Sequence, residues 1–298
     1  MKRLLLPILT LFLSSSAMAT GQSPDIIYVK GKMWALMGRP LADDSAMNAS
    51  IWASFPESGL LCVSSANWTK YTGYWSVHKG HLILDSILYL NGKCKKTRLP
   101  DTTMHRLFKD HYVDGRIVAH WVNDTLRLAK GDCIYYQHIG FYRYYDTEML
   151  LTLQNGKVTS KHRFLNRFVK KGFSLSNPFY EQEEHFRSVI LPIVEQYKEL
   201  DSISHLVFNV SGIELDSEGH LLKLGTVEMP VGRWYNDTLL APLQSQLEHE
   251  LYTLLLNIPN WEVWHINGKY IHPGDGWFYL WIRKPNSYHI NKLLKNDN

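Results

Sequence analysis

Long apolar runs, charge of one sign and cysteine are all scarce in this chain of 298 residues. After the first twenty positions no segment reaches the ~18 uninterrupted apolar residues that a membrane-spanning helix needs, so the mature chain is expected to carry no transmembrane segment. Thirty-two basic residues stand against 28 acidic ones, a net charge of +4. That balance does not call for nucleic acid, and the runs Lys93-Cys94-Lys95-Lys96 and Lys170-Lys171 are short enough to be solvated loop charge. There are only 3 cysteines, Cys62, Cys94 and Cys133. None has CxxC spacing, which removes zinc-ribbon and thioredoxin chemistry. One disulfide and one spare thiol are permitted in an oxidising compartment, and buried free thiols are the simpler expectation. The chain also lacks HExxH, GxSxG, GxGxxG and a P-loop, so metal hydrolysis, serine esterase chemistry and nucleotide binding have no motif here.

What is abundant is aromatic and apolar. Hydrophobic residues are 45% and aromatic residues 13%, with 17 Tyr and 10 Trp, a composition that favours packed β structure. At the start, Lys2-Arg3, the apolar stretch Leu4 to Leu13 and the small residues Ala17 and Ala19 have the form of a cleavable signal, residues 1–19, cut between Ala19 and Thr20. The expectation is a periplasmic or secreted protein of a bacterial cell envelope.

Turn signals then recur at short intervals. Lys30-Gly31, Lys79-Gly80 and Asn91-Gly92 are turn signals between strand-like stretches, and Asn155-Gly156 marks the clearest hairpin, suited to a type I′ turn. From Gly115 onward, Ile117, Ala119 and Trp121 are expected on one strand face and Val118, His120 and Val122 on the other. Residues 22–172 read as an antiparallel β domain: a meander, sandwich or partly closed barrel. A linker is expected at 173–178, and an α+β domain at 179–288. In the latter, Glu181, Glu183 and Glu184 suit the start of a helix. Phe186, Val189, Ile190, Ile193, Val194 and Tyr197 form its stripe, and Pro192 should kink or split it. A hairpin about Asp216–Gly219 follows. A second helix carries Leu243, Leu247, Leu251 and Leu254 or Leu255, and is stopped by Pro259. The stretches NWEVWHINGKYIH and WFYLWIRKP are expected to pair as the last two strands, with Trp277 and Trp281 on one face.

Candidate chemistry is thin. His78 and His81 flank a turn where two ligands could meet, but no third ligand lies at motif spacing. Ser76-Val77-His78-Lys79 has SxxK spacing without its companion motifs. Glu183-Glu184-His185 reads as a helix start. No catalytic, cofactor-binding or metal-binding residue is therefore assigned, and no cofactor is expected. Five triplets, beginning at Asp44, Asp85, Asp124, Asp201 and Asp237, look like the O-glycosylation acceptor of Bacteroidota. The same pairs also suit the starts of strands and helices.

One stretch is more specific. Leu251, Leu255, Ile258, Pro259, Trp261, Asn267, Gly268 and Lys269, preceded by the hairpin LVFNVSGIELDSEGHLLKLGTVE and followed by WFYLWIRKP, resemble the C-terminal domain of TonB-like energy transducers. The resemblance covers about a quarter of the chain. It implies a small αββαβ fold, a sheet with helices on one face, whose edge receives an extended peptide by strand addition. Pro259, Trp261, Asn267, Gly268 and Lys269 carry the family motif. The chain departs from that family in having a cleavable-looking signal, no Pro-rich arm and an insert, MPVGRWYNDTLLAPL. The N-terminal part is similar to uncharacterised secreted β-rich proteins of Bacteroidota. The expectation is a non-enzymatic envelope binding or scaffold protein with a protein or extended peptide as partner. The alternative is a glycan-binding or glycan-hydrolysing module sited in the aromatic β domain.

Overall fold

The computed structural model describes residues 21–55, 64–136, 140–175, 183–197, 203–232, 236–272 and 276–281, the side chains of Glu183, Gly276, Trp277 and Trp281 excepted. The proposed signal, Cys62, Asp201 and the turn at Pro273-Gly274 lie outside these residues. The fold is mixed α+β and mostly strand. The chain divides into two compact units, one ending at Arg163 and one beginning at Phe164.

The first unit contains β1 (Asp25–Val29), β2 (Lys32–Leu36), α1 (Ser45–Ala53), β3 (Tyr71–His78), β4 (His81–Leu90), β5 (Lys96–Arg98), α2 (Asp101–Leu107), β6 (Tyr112–Val113), β7 (Arg116–Val118), β8 (Thr125–Tyr136), β9 (Arg143–Gln154) and β10 (Lys157–Leu165). They form one sheet in the order β10-β9-β8-β2-β1-β3-β4-β7-β6, with β5 beside β4. Pairing of β10 back onto β4, at Lys157 and His81, makes this a partly closed barrel. β1 runs parallel to β3, whereas the pairs β1–β2, β2–β8, β8–β9, β3–β4, β4–β5, β4–β7 and β6–β7 are antiparallel. The turns explain the meander. Lys30-Gly31, Lys79-Gly80 and Asn155-Gly156 all have φ between +46° and +79° at both positions, as a type I′ turn requires. Inward residues such as Ile27, Leu36, Tyr71, Trp75, Leu82, Leu128 and Leu151 make the core.

Three features differ from expectation. The strand read through Ile117 to Val122 ends at Val118. Residues 119–122 form a bend closed by Val122 N–H donating to Ala119 C=O. The Asn155-Gly156 turn seats in that bend, with Gly156 N–H on Val122 C=O at 3.0 Å. Two helices were not foreseen. The start of α1 is capped by Asp44, whose carboxylate accepts from Ala46 and Met47 N–H. Asp44-Ser45 thus acts as a cap. Asp124 and Asp237 likewise bond the chain just ahead of them, at Thr125 and Leu239 N–H, whereas Asp85-Ser86 sits inside β4 with Ser86 buried. Finally, Cys94 is disulfide-bonded and Cys133 is free but exposed, so neither is the buried thiol expected from composition. Non-reducing peptide mapping should therefore find Cys94 in a linked peptide and Cys133 alkylated. Labelling of two cysteines would contradict this.

The second unit contains β11 (Arg167–Lys170), α3 (Glu183–Glu195), β12 (His205–Ser211), β13 (Glu214–Leu215), β14 (Leu221–Lys223), β15 (Thr226–Glu228), α4 (Gln244–Leu256), β16 (Val263–Ile266), β17 (Lys269–Ile271) and β18 (Gly276–Trp281). A 3-10 helix, Thr238–Leu243, leads into α4. There are two sheets, β15-β12-β18 and β11-β16-β17-β13-β14. β11 pairs with β16, so the unit begins near residue 164 rather than after a linker at 173–178. Pro192 sits inside α3 near its C-terminal end, and the helix runs through it unsplit.

The element order is longer than αββαβ for two reasons. The expected hairpin divides between the sheets: β12 pairs with β15, while its tip, β13 with β14, joins the other sheet. Gly225 stands at the division. A Cβ there would lie 2.6 Å from Ser211 C=O, so only glycine lets the two arms approach this closely. Secondly, NWEVWHINGKYIH is a hairpin by itself, because Asn267 (φ 50°) and Gly268 (φ 83°) form the tight turn between β16 and β17. WFYLWIRKP therefore does not pair with it. Its described part, in β18, pairs with β12.

Candidate functional site

The motif residues converge on one place in the second unit. Pro259 lies just past the end of α4, whose Leu247, Leu251, Leu254 and Leu255 are buried. Trp261 is fully buried. Its ring meets Phe173 edge-on at 5.0 Å and His272 at 5.6 Å. Its backbone is gripped on both sides: Trp261 N–H donates to Gly219 C=O, and Cβ atoms at Gly172 or Gly219 would fall 2.4 Å and 2.6 Å from the Trp261 carbonyl group. Asn267 and Gly268 are the hairpin turn, Asn267 N–H donating to the Asn166 side chain, and Lys269 opens β17 on the exposed surface. These five residues thus position chain segments. Trp264 faces away from the buried Val263, its ring edge-on to Phe168 at 5.1 Å and its indole N–H on Glu262.

Sequence reasoning missed His272. It is 1% exposed, and its Nε2 accepts from Leu175 N–H at 2.8 Å. Nδ1 must then carry the proton, and burial holds the ring neutral by lowering its pKa to about 3. His272 ties Leu175 into the unit just beyond the Phe173 bridge to Trp261.

The three-stranded sheet has an asymmetric pair of edges. On its helix-facing side Leu206, Phe208 and Val210 of β12 meet Phe278 and Leu280 of β18, and they alternate with half-buried His205, Asn209 and Ser211 and the buried Val207. α3 packs on β18 and α4 on β15. β15 covers β12 only from Asn209 to Ser211. Beyond it, Asn236 from the unmatched insert takes over as a one-residue strand. Its side-chain oxygen accepts from Val207 N–H at 2.8 Å and its amide donates to Val207 C=O at 2.7 Å. Asn236 is buried, so Asn236→Ala should leave both Val207 groups without partners and cost about 2–3 kcal/mol, readable as a lower urea midpoint with unchanged slope. Asn236→Asp, which turns a buried carboxylate oxygen on the Val207 and Pro230 carbonyls that the amide served, should cost at least as much.

The opposite edge, β18, has β12 as its only strand neighbour among the described residues. Antiparallel strands alternate pairs that exchange backbone hydrogen bonds with pairs that do not. Val207 spends both its backbone groups on Asn236, so its partner Tyr279 points its own N–H and C=O outward, away from β12. Tyr279 is also exposed.

In the first unit the polar interior is a buried ion pair. Asp25, fully buried, accepts from Gly73 N–H at 2.9 Å and Trp75 indole N–H at 3.0 Å, with Arg39 3.7 Å away. Arg39 also donates to the carbonyls of Tyr71 and Ser23. Burial raises the Asp25 pKa to about 6, against the pull of Arg39, Trp75 and Gly73, and burial also pushes the Tyr71 phenol up. Every partner holds core strands together, so the arrangement is structural. The aromatic residues are largely core too: Trp34, Tyr71, Trp75 and Tyr89 are buried, and Phe108 stacks on Trp121. His78 and His81 face each other across the Lys79-Gly80 turn, and Ser76 donates to Asp85. Among the described residues no group of three His, Cys, Asp or Glu side chains is placed to hold a metal ion, and no helix is long and apolar enough to cross a membrane. No family model matches the chain, and neither does any curated protein or solved structure.

Proposed function

We propose that this is a cell-envelope binding or scaffold protein, without catalytic activity, whose second unit takes an extended segment of a partner protein as an added strand along β18. The observation that carries the reading is the one-sided pairing of β18, whose strand neighbour among the described residues is β12 alone. Strand addition draws its affinity from backbone donors and acceptors along a sheet edge. Three further features support it. The opposite edge is covered by β15 and Asn236, which leaves one open edge rather than two. Both helices pack on this sheet, as the TonB-like resemblance implies. Trp261 and the Asn267-Gly268 turn occupy the positions that carry that resemblance. A secretory signal would deliver the chain to a compartment where receptors present extended segments.

The test is Tyr279→Pro in the full mature chain. Proline removes the outward N–H and leaves the bonds to β12 intact. A partner crosslinked from envelope extract should protect the Tyr279 amide from hydrogen exchange and be lost with the variant. Equal recovery by both chains, with no protection, would sink the proposal.

A further inference from the structure

A different edge, in the first unit, has its own chemistry. From Met149 to Tyr180 the chain has no Asp or Glu but six Lys or Arg residues: Lys157, Lys161, Arg163, Arg167, Lys170 and Lys171. The first three fall on β10 with odd numbers, and a strand places alternate residues on one face. Lys157, Thr159, Lys161 and Arg163 are all exposed, whereas Val158 packs against the core. Among the described residues none of these three cations is in an ion pair. Their charge is unneutralised.

The same strand has an open side. β9 is its neighbour on one side, and on the other β4 reaches it only at Lys157, with Val158 N–H donating to Gly80 C=O. Backbone groups in an antiparallel strand alternate in direction. Ser160 and His162 therefore point their N–H and C=O the same way as Val158, where no described strand receives them.

We propose that β10 is a second docking strand, which takes an acidic, extended protein segment from Ser160 onward. Two independent features converge on this partner. The open edge asks for backbone donors and acceptors at a two-residue repeat, about 6.7 Å. The cation row on the adjoining face has the same repeat, so alternate Asp or Glu residues on an added strand would each meet Lys161 or Arg163. A polyanionic sugar offers the charge without the backbone bonds. Lysines on edge strands also guard against unwanted pairing, and that role predicts no ligand at all.

The test uses the full mature chain and fluorescein-labelled decapeptides, read by polarisation. An alternating Glu-Thr peptide should bind, more weakly as salt rises, and a Lys-Thr peptide should not. Lys161→Glu with Arg163→Glu, both at exposed positions, should weaken binding about tenfold or more. A Glu-Thr peptide N-methylated at alternate residues, unable to pair its backbone, should lose binding to the unaltered protein, an arm that needs no variant to fold. Equal binding of the methylated peptide, or its displacement of nothing that a heparin-derived decasaccharide does not also displace, would show a general polyanion site and overturn the proposal. So would absence of binding together with self-association of Lys161→Ser/Arg163→Ser, which would leave the cations as guards. Binding at β18 is separable, because Tyr279→Pro should not change these affinities.

Discussion

Trp261→Ala should destabilise the second unit by about 3–5 kcal/mol, the range for removing a fully buried large aromatic side chain. The upper part of that range is expected because the site cannot collapse. The Trp261 backbone is held between Gly172 and Gly219, with its N–H on Gly219 C=O, and β16 begins two residues later. Phe173, which loses its edge-on partner, is itself bridged to this position and packs on Phe186 of α3. Trp261→Phe restores most of the volume and should recover more than half of the loss. Urea unfolding followed by exchange of the Phe208 amide measures the second unit, and the Leu84 amide reports the first. A loss below about 1 kcal/mol would show that Trp261 is not the plug that its burial indicates.

Acidification should act on the two units in opposite directions. In the second, His272 has a folded pKa of about 3, below the ordinary 6.5, because burial disfavours its charged form. Between those values the unfolded chain binds a proton that the folded one refuses. Stability therefore falls as pH drops from 6.5 towards 3, at up to about 1.4 kcal/mol per pH unit and up to about 5 kcal/mol in all. In the first unit, Asp25 has its folded pKa raised from 3.8 to about 6, again chiefly by burial. Here the folded state takes up the proton first. Stability from this group rises as pH falls from 6 towards 3.8, by up to about 3 kcal/mol. Exchange at the same two amides between pH 7 and 4.5 should show the second unit losing stability relative to the first. His272→Gln should flatten the second response and Asp25→Asn the first. Parallel responses, unchanged by either substitution, would refute the assignment of both groups.

The sequence was readable where structure is local. Lys79-Gly80, Asn155-Gly156 and Asn267-Gly268 form the turns that their backbone freedom suggests. The stripe Leu247, Leu251, Leu254, Leu255 faces the core because helix period alone decides it. What was misread depends on partners far along the chain. β18 pairs with β12 across the whole of α4, and β11 pairs with β16 rather than ending the first unit. No periodicity in either strand names its neighbour. α1 was missed because it has a cap at Asp44 but only one buried residue, Ile51. Asp25 and His272 look like ordinary polar residues until Gly73, Trp75 and Leu175 close around them. The open edges of β10 and β18 are properties of sheet order and could not be read before that order was known.

The pairing of β18 with β12 also governs when the second unit can fold during synthesis. β12 ends at Ser211, yet the strand that completes its sheet begins at Gly276. β11 likewise waits for β16. Until those late strands leave the ribosome, Leu206, Phe208 and Val210 have no Phe278 or Leu280 to meet, and long-range closure of this kind is slow even afterwards. A chain halted after β10 but before residue 276 should thus carry a finished first unit and an unfinished second one. The proposed export of an unfolded chain would draw on such lateness, which leaves the second unit unfinished until its last strand is made.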